Sequence, residues 1–216
     1  MSLTSGAITA RPYIVTTPPE AGFLDEIETD LKRYAFKPVK PEQSPTSMGW
    51  VHPRDVLDTD LTVDKVLFED FLVLGLRVDK LSVNSRLLKA HFNIERNKFL
   101  KDRGAKKLSR DERSALLERV KLSLMKESSP STSFYEMAWN LRTHHVYFSG
   151  TSQTLNQEFS DLFGETFHVR IMPLLPYIRA TQIAERDGLK EDLLAADPAR
   201  LAPGNDVRVA GISEED

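Results

Sequence analysis

The sequence contains no cysteine. Disulfide staples, a cysteine nucleophile and thiolate zinc sites are therefore excluded, and the absence fits a cytosolic address. No apolar run approaches the ~18 residues that a membrane-crossing helix needs. The opening stretch MSLTSGAITARP lacks the basic start and apolar core of a secretory signal. Catalytic signatures are also missing: there is no H-E-x-x-H, no G-x-S-x-G and no phosphate-binding loop. Histidine is scarce. His144 and His145 are adjacent and would point to opposite faces of a strand. His91 falls on an apolar stripe and reads as a core or boundary residue. No catalytic residue, metal-ligand set or cofactor is predicted, and the chain reads as a non-enzyme.

One acidic run invites a metal reading. Asp58, Asp60, Asp64 and Glu69 fall at positions 1, 3, 7 and 12 of a calcium loop, but Val63 stands where the sharp turn requires glycine. A solvated acidic loop is the simpler reading. The carboxylates also show no spacing that would single out a two-metal nuclease site.

What is present is an ordinary globular composition, 40% hydrophobic and 28% charged over 216 residues, enough for one domain or two small ones. Charge is unevenly placed. Between Val83 and Glu127 lie 13 Lys/Arg and 6 Asp/Glu, leaving 16 basic and 26 acidic residues elsewhere. The formal net charge of −3 hides that separation.

Along the chain, AITARPYIVTT reads as a strand followed by a turn at Thr17-Pro18-Pro19. Phe23, Ile27 and Leu31 at i, i+4, i+8 give a helix with acids early and Lys32-Arg33 late, the order the helix dipole favours. MGWV is a short strand stopped by Pro53. FEDFLVLGLRVDKL holds the most strand-like run and reads as well covered. A helix is predicted from Asn84 to Lys101, with Leu87, His91 and Ile94 as one apolar stripe and Leu88, Phe92 and Phe99 beside it. A second runs from Asp111 to Met125 behind the capping box Ser109-x-x-Glu112, with Leu116 or Leu117, Val120 and Leu124 as its stripe. The short link containing Gly104 makes the pair an antiparallel hairpin with a basic tip. Phe134–Leu141 and His145–Ser149 read as paired strands. TSQTLNQEFSDLFG reads as a helix stopped by Gly164, TFHVRIMPLL as a strand, and YIRATQIAERDG and LKEDLLAAD as short helices.

The order implies an α+β fold: a mixed, mainly antiparallel sheet with packed helices and a projecting basic helical hairpin. Residues 7–82 and 131–200 form the sheet domain, 83–130 the hairpin, and 201–216 a flexible acidic tail. Both tryptophans occur in similar tripeptides, Met48-Gly49-Trp50 and Met137-Ala138-Trp139. Neither is surrounded by cations, so both read as core anchors.

The hairpin is the most informative feature. Lys98, Lys101, Arg103, Lys106, Lys107 and Arg110 concentrate positive charge within about a dozen residues, a pattern suited to nucleic-acid phosphates. No aromatic residue interleaves with them after Phe99, which disfavours a single-strand stacking platform there. A solvated helix face, balanced by Asp102 and Asp111, is the alternative.

YAFKPV, MGWV, the apolar strand, KKLSRDERSALLERVKLSLM, MAWNLRTHHVYF and EFSDLFGETFHVRIMPL occur in an order that resembles the RdgC family of recombination-associated proteins, from about Arg11 to Pro176. The resemblance implies an α+β protein that dimerises into a ring around double-stranded DNA, binds without sequence preference and restrains the recombinase RecA. It implies a cytoplasmic, nucleoid-associated protein. The family also carries an exonuclease label, for which no site is visible in these residues. Three departures stand out. Members are longer, and an acidic tail stands here in place of their C-terminal third; a ring dimer needs two interfaces per subunit. The aromatic residue that joins subunits after the second hairpin helix has no counterpart in KESSPSTS. The chain is also mildly acidic, with positive potential confined to the hairpin. Two other readings remain at this point: an interaction module that has lost DNA binding and uses the hairpin on an acidic surface, and a metal-dependent exonuclease using the acidic loop.

Overall fold

The structure is a computed structural model that describes residues 9–17, 19 and 22–196. The chain divides into two compact units, Met1–Leu174 and Leu175–Asp216. The acidic tail at 201–216 lies outside the described residues.

In the first unit a seven-stranded sheet has the order β2-β4-β5-β6-β1-β7, with β3 pairing β4 beside that path. Its strands are β1 (Arg11–Val15), β2 (Thr46–Val51), β3 (Leu67–Phe68), β4 (Phe71–Lys80), β5 (Ser131–Asn140), β6 (His145–Phe148) and β7 (Ile171–Pro173). Every pairing of these strands is antiparallel, and the only parallel element among the described residues is a single bridge, Ala35 to Trp50. The expected α+β fold with a mainly antiparallel sheet is what forms.

Side-chain alternation gives the sheet two unlike faces. Leu72, Leu74 and Leu76 of β4, Met137 and Trp139 of β5, Val146 and Phe148 of β6 and Tyr13 of β1 point to one side and are buried. Helices α1 (Phe23–Tyr34) and α5 (Gln153–Phe167) cover that side with Ile27, Leu31, Phe159, Phe163 and Phe167. Both tryptophans are fully buried in this layer. Their rings meet the same Phe167 ring, with centroids 5.9 Å from Trp50 and 5.5 Å from Trp139. They are core anchors.

The layer also buries polar groups; among the described residues the Trp139 indole N–H has no hydrogen-bond partner, whereas others are satisfied. The Tyr13 hydroxyl donates to Asn156 Oδ1, while Asn156 Nδ2 donates to the carbonyls of Gly150 and Ser152. Burial raises the Tyr13 pKa, against the lowering effect of Arg11. Gly49 shows why the first tripeptide contains glycine. A Cβ there would lie 2.5 Å from Cα of Phe36, whose N–H donates to the Trp50 carbonyl as the chain leaves α1.

Several boundaries differ from expectation. Gly164 does not stop α5. The helix continues to Phe167 and ends on His168, which takes the left-handed conformation at φ 57°. Burial of Phe163, Thr166 and Phe167 carries the helix through the glycine. The predicted strand TFHVRIMPLL is therefore reduced to Ile171–Pro173. His144 precedes β6 at φ 60°, so it is a turn residue and not a strand neighbour of His145. No helix among the described residues is long and apolar enough to cross a membrane.

The described part of the second unit is a pair of helices, α6 (Pro176–Asp187) and α7 (Lys190–Ala195). Pro176 opens α6 at a position where its missing N–H costs nothing, and Gly188 closes it at φ 74°. Lys190 pairs with Glu185 at 2.8 Å across the turn.

Candidate nucleic-acid interface

Between β4 and β5 the chain leaves the sheet as α3 (Ser85–Arg103) and returns as α4 (Arg110–Glu127). Local chemistry fixes both ends of both helices. The Asn84 side chain accepts from the N–H groups of Arg86 and Leu87. Gly104 turns left-handed at φ 62° and ends α3. Ser109 and Glu112 form the predicted capping box: the Glu112 N–H donates to Ser109 Oγ, and the Ser109 N–H to Glu112 Oε2.

The helices pack through Phe92, Leu116, Val120 and Leu124, with Leu88 and Leu108 against them. This corrects the stripe assignment. Leu87, His91 and Ile94 face solvent, and the neighbouring Leu88–Phe92 row makes the contact. The pairs Arg103–Glu112 (2.7 Å) and Glu95–Arg119 (3.8 Å) lie at successive levels and fix the antiparallel register. At the other end Lys126 reaches Glu42 at 2.7 Å.

All six predicted cations, Lys98, Lys101, Arg103, Lys106, Lys107 and Arg110, are exposed at or near the tip. They are not equivalent. Lys98 lies 3.9 Å from Glu95. Arg103 is bound to Glu112 and stacks over the Phe99 ring at 4.5 Å. Glu112 thus serves the cap and the cation together, and its pKa is lowered first by the Ser109 N–H and then by the Ser109 hydroxyl and Arg103. Among the described residues, Lys101, Lys106, Lys107 and Arg110 have no ion-pair partner. They occupy the last turn of α3, the connection and the first position of α4. Lys101 suits the negative end of α3, but Arg110 stands at the positive end of α4, where the helix dipole disfavours a cation. Chemically, the tip offers four unneutralised donors to an anion.

Sequence reasoning located the cluster but not the capture of Arg103. The signal was available. In an antiparallel hairpin with this link, a residue in the last turn of α3 faces the first turn of α4, where Glu112 sits.

The acidic run resolves differently from a metal loop. Asp58 and Asp60 both hold the Lys65 ammonium, at 3.1 and 3.0 Å. The Asp60 N–H and then Lys65 lower the Asp58 pKa. Asp64 belongs to a short helix, α2 (Val63–Val66), and Glu69 to the β3–β4 turn. Among the described residues no three His, Asp or Glu side chains gather closely enough to hold a metal ion.

Set against known protein families, residues 10–186 match the one described as "Putative exonuclease, RdgC". No curated protein matches the chain.

Proposed function

The chain belongs to the RdgC family, and from that premise we propose that it binds double-stranded DNA without sequence preference, through phosphate contacts at the hairpin tip. The observation that carries this reading is the set of unpaired, exposed cations Lys101, Lys106, Lys107 and Arg110. Arg110 supports it further, because a cation at a helix N-terminus is a local cost that phosphate contact would offset. Lys98 and Arg103 complete the positive field, with Arg103 held in place by Glu112 and Phe99. Contacts of this kind release counterions and select no base sequence.

The recombination role, the RecA partner, the homodimer and the nucleoid location belong to the same proposal and rest on the family resemblance. The protein acts in this reading as a binding protein and not a nuclease, supported by the capture of Asp58 and Asp60 by Lys65.

Fluorescence anisotropy with two unrelated duplexes over a salt series tests the reading. Equal affinity for both and a steep loss with salt are expected. Absence of binding at low salt contradicts it, as does cleavage of either duplex with magnesium or manganese.

A further inference from the structure

One cation of the hairpin tip already has an anion. Arg103 Nη1 donates to Glu112 Oε1 at 2.7 Å, across the connection that joins α3 to α4. Its neighbours Lys101, Lys106, Lys107 and Arg110 have no ion-pair partner among the described residues. Three acids stand among these cations, Asp102, Asp111 and Glu112. Of these, among the described residues, Glu112 alone holds a cation.

This pair can open without disturbing the hairpin. The Arg103 and Glu112 side chains are 61% and 36% exposed, so water and salt screen their attraction. The two carboxylate oxygens have separate partners. Oε2 accepts from the Ser109 N–H and closes the capping box, while Oε1 takes Arg103. Losing Arg103 therefore leaves α4 capped. Arg103 is also held from its own helix, because its guanidinium lies over the Phe99 ring at 4.5 Å, one turn back. Released from Glu112, it stays at the tip. Nη1 is the guanidinium nitrogen engaged among the described residues, which leaves the rest of the fork for a phosphate.

We propose that Glu112 sets the duplex affinity of the tip by competing with DNA phosphate for Arg103. The proposal rests on the reading that the tip binds phosphates. An arginine neutralised by a carboxylate releases no counterion from DNA, and the carboxylate itself repels the backbone. In the wild type Arg103 stays with Glu112, and the four unpaired cations make the contacts. Glu112 thus holds the tip below its full strength. A limit of this kind favours departure from any one site, which suits a contact that selects no sequence.

Duplex anisotropy over a salt series tests the proposal with wild type, Glu112→Gln, Arg103→Gln and the double variant. Glutamine serves the same place in a capping box, so α4 keeps its start. Glu112→Gln should bind roughly three- to eightfold more tightly at about 0.1 M salt, with a log–log slope steeper by about 0.9, the value of one added phosphate contact. In the Arg103→Gln background the same change should give less than about half of that gain. Asp111→Asn, an equal change of charge with no cation in hand, should leave the slope as in the wild type. Arg103→Gln alone leaves the cap untouched and should also leave the slope unchanged, whereas Lys106→Gln should make it shallower by about 0.9. A Glu112→Gln chain that binds no more tightly overturns the proposal while the tip reading stands. So does a gain that persists in full without Arg103, a gain that Asp111→Asn reproduces, or an Arg103→Gln slope that falls as far as that of Lys106→Gln. A wild type that binds no duplex at low salt overturns the tip reading and this proposal with it.

Discussion

The indole N–H of Trp50 donates to the hydroxyl of Thr166 at 2.8 Å, and Thr166 donates in turn to the Leu162 carbonyl. Trp50 and Thr166 are both fully buried, so the bond ties β2 to α5 with no water to replace it. Replacing Thr166 with valine keeps the volume and removes the acceptor. A buried N–H without a partner costs about 1–3 kcal/mol. Urea denaturation should show a lower midpoint with an unchanged slope.

Gly49 and Gly164 respond oppositely to alanine. At Gly49 the added methyl meets backbone of Phe36 at 2.5 Å, so the chain leaving α1 must move. A loss of about 1–3 kcal/mol is expected, in the range of overpacked sites. At Gly164 the nearest atom is the Val169 carbonyl at 3.4 Å, ordinary contact. Here a helix interior gains a better helix former, worth roughly 0.5–1 kcal/mol. Thermal melts of the two variants should move in opposite directions.

Asp79 gives the acid limb of the stability curve. It is 2% exposed, receives both Arg77 Nε and Nη2, and accepts a further bond from Thr132. The hydrogen bonds from Arg77 outweigh burial and lower its pKa, with Thr132 adding to the effect. A carboxyl whose folded pKa is depressed stabilises the fold above its unfolded value, about 3.9, and loses that contribution as pH falls through the folded value. Asp79→Asn should cost about 1.5–3 kcal/mol at neutral pH, the range for hydrogen bonds to charged groups. Stability measured from pH 7 downward should then fall less steeply below pH ~4 than in the wild type.

Much of the fold was legible because local chemistry and packing agree. The capping box at Ser109 and Glu112, the Ile27–Leu31 stripe and the long β4 run each have a distinctive pattern and a matching role. Legibility failed where two patterns competed. On α3 the rows Leu87–His91–Ile94 and Leu88–Phe92–Phe99 are neighbours at helical spacing, and only α4 decides between them. Gly164 has the chemistry of a stop signal, but the buried Phe163 and Phe167 override it. β4 reads as covered on both faces, whereas its Phe71 is left exposed. The cation cluster was legible as composition. That Arg103 is engaged while Lys106 and Lys107 are free depends on a pairing across the hairpin, which no linear pattern displays.

The tip cations carry the central claim, and removing them together tests it most directly. Lys106→Gln, Lys107→Gln and Arg110→Gln combined leave the Phe92–Leu116 packing and the Ser109–Glu112 cap in place. Duplex binding by the triple variant and the wild type should be compared over a salt series. Phosphate binding at the tip predicts weaker binding at low salt for every duplex alike. It also predicts a log–log salt slope shallower by roughly 3, about one for each cation neutralised. An unchanged affinity at low salt, with an unchanged slope, would contradict it.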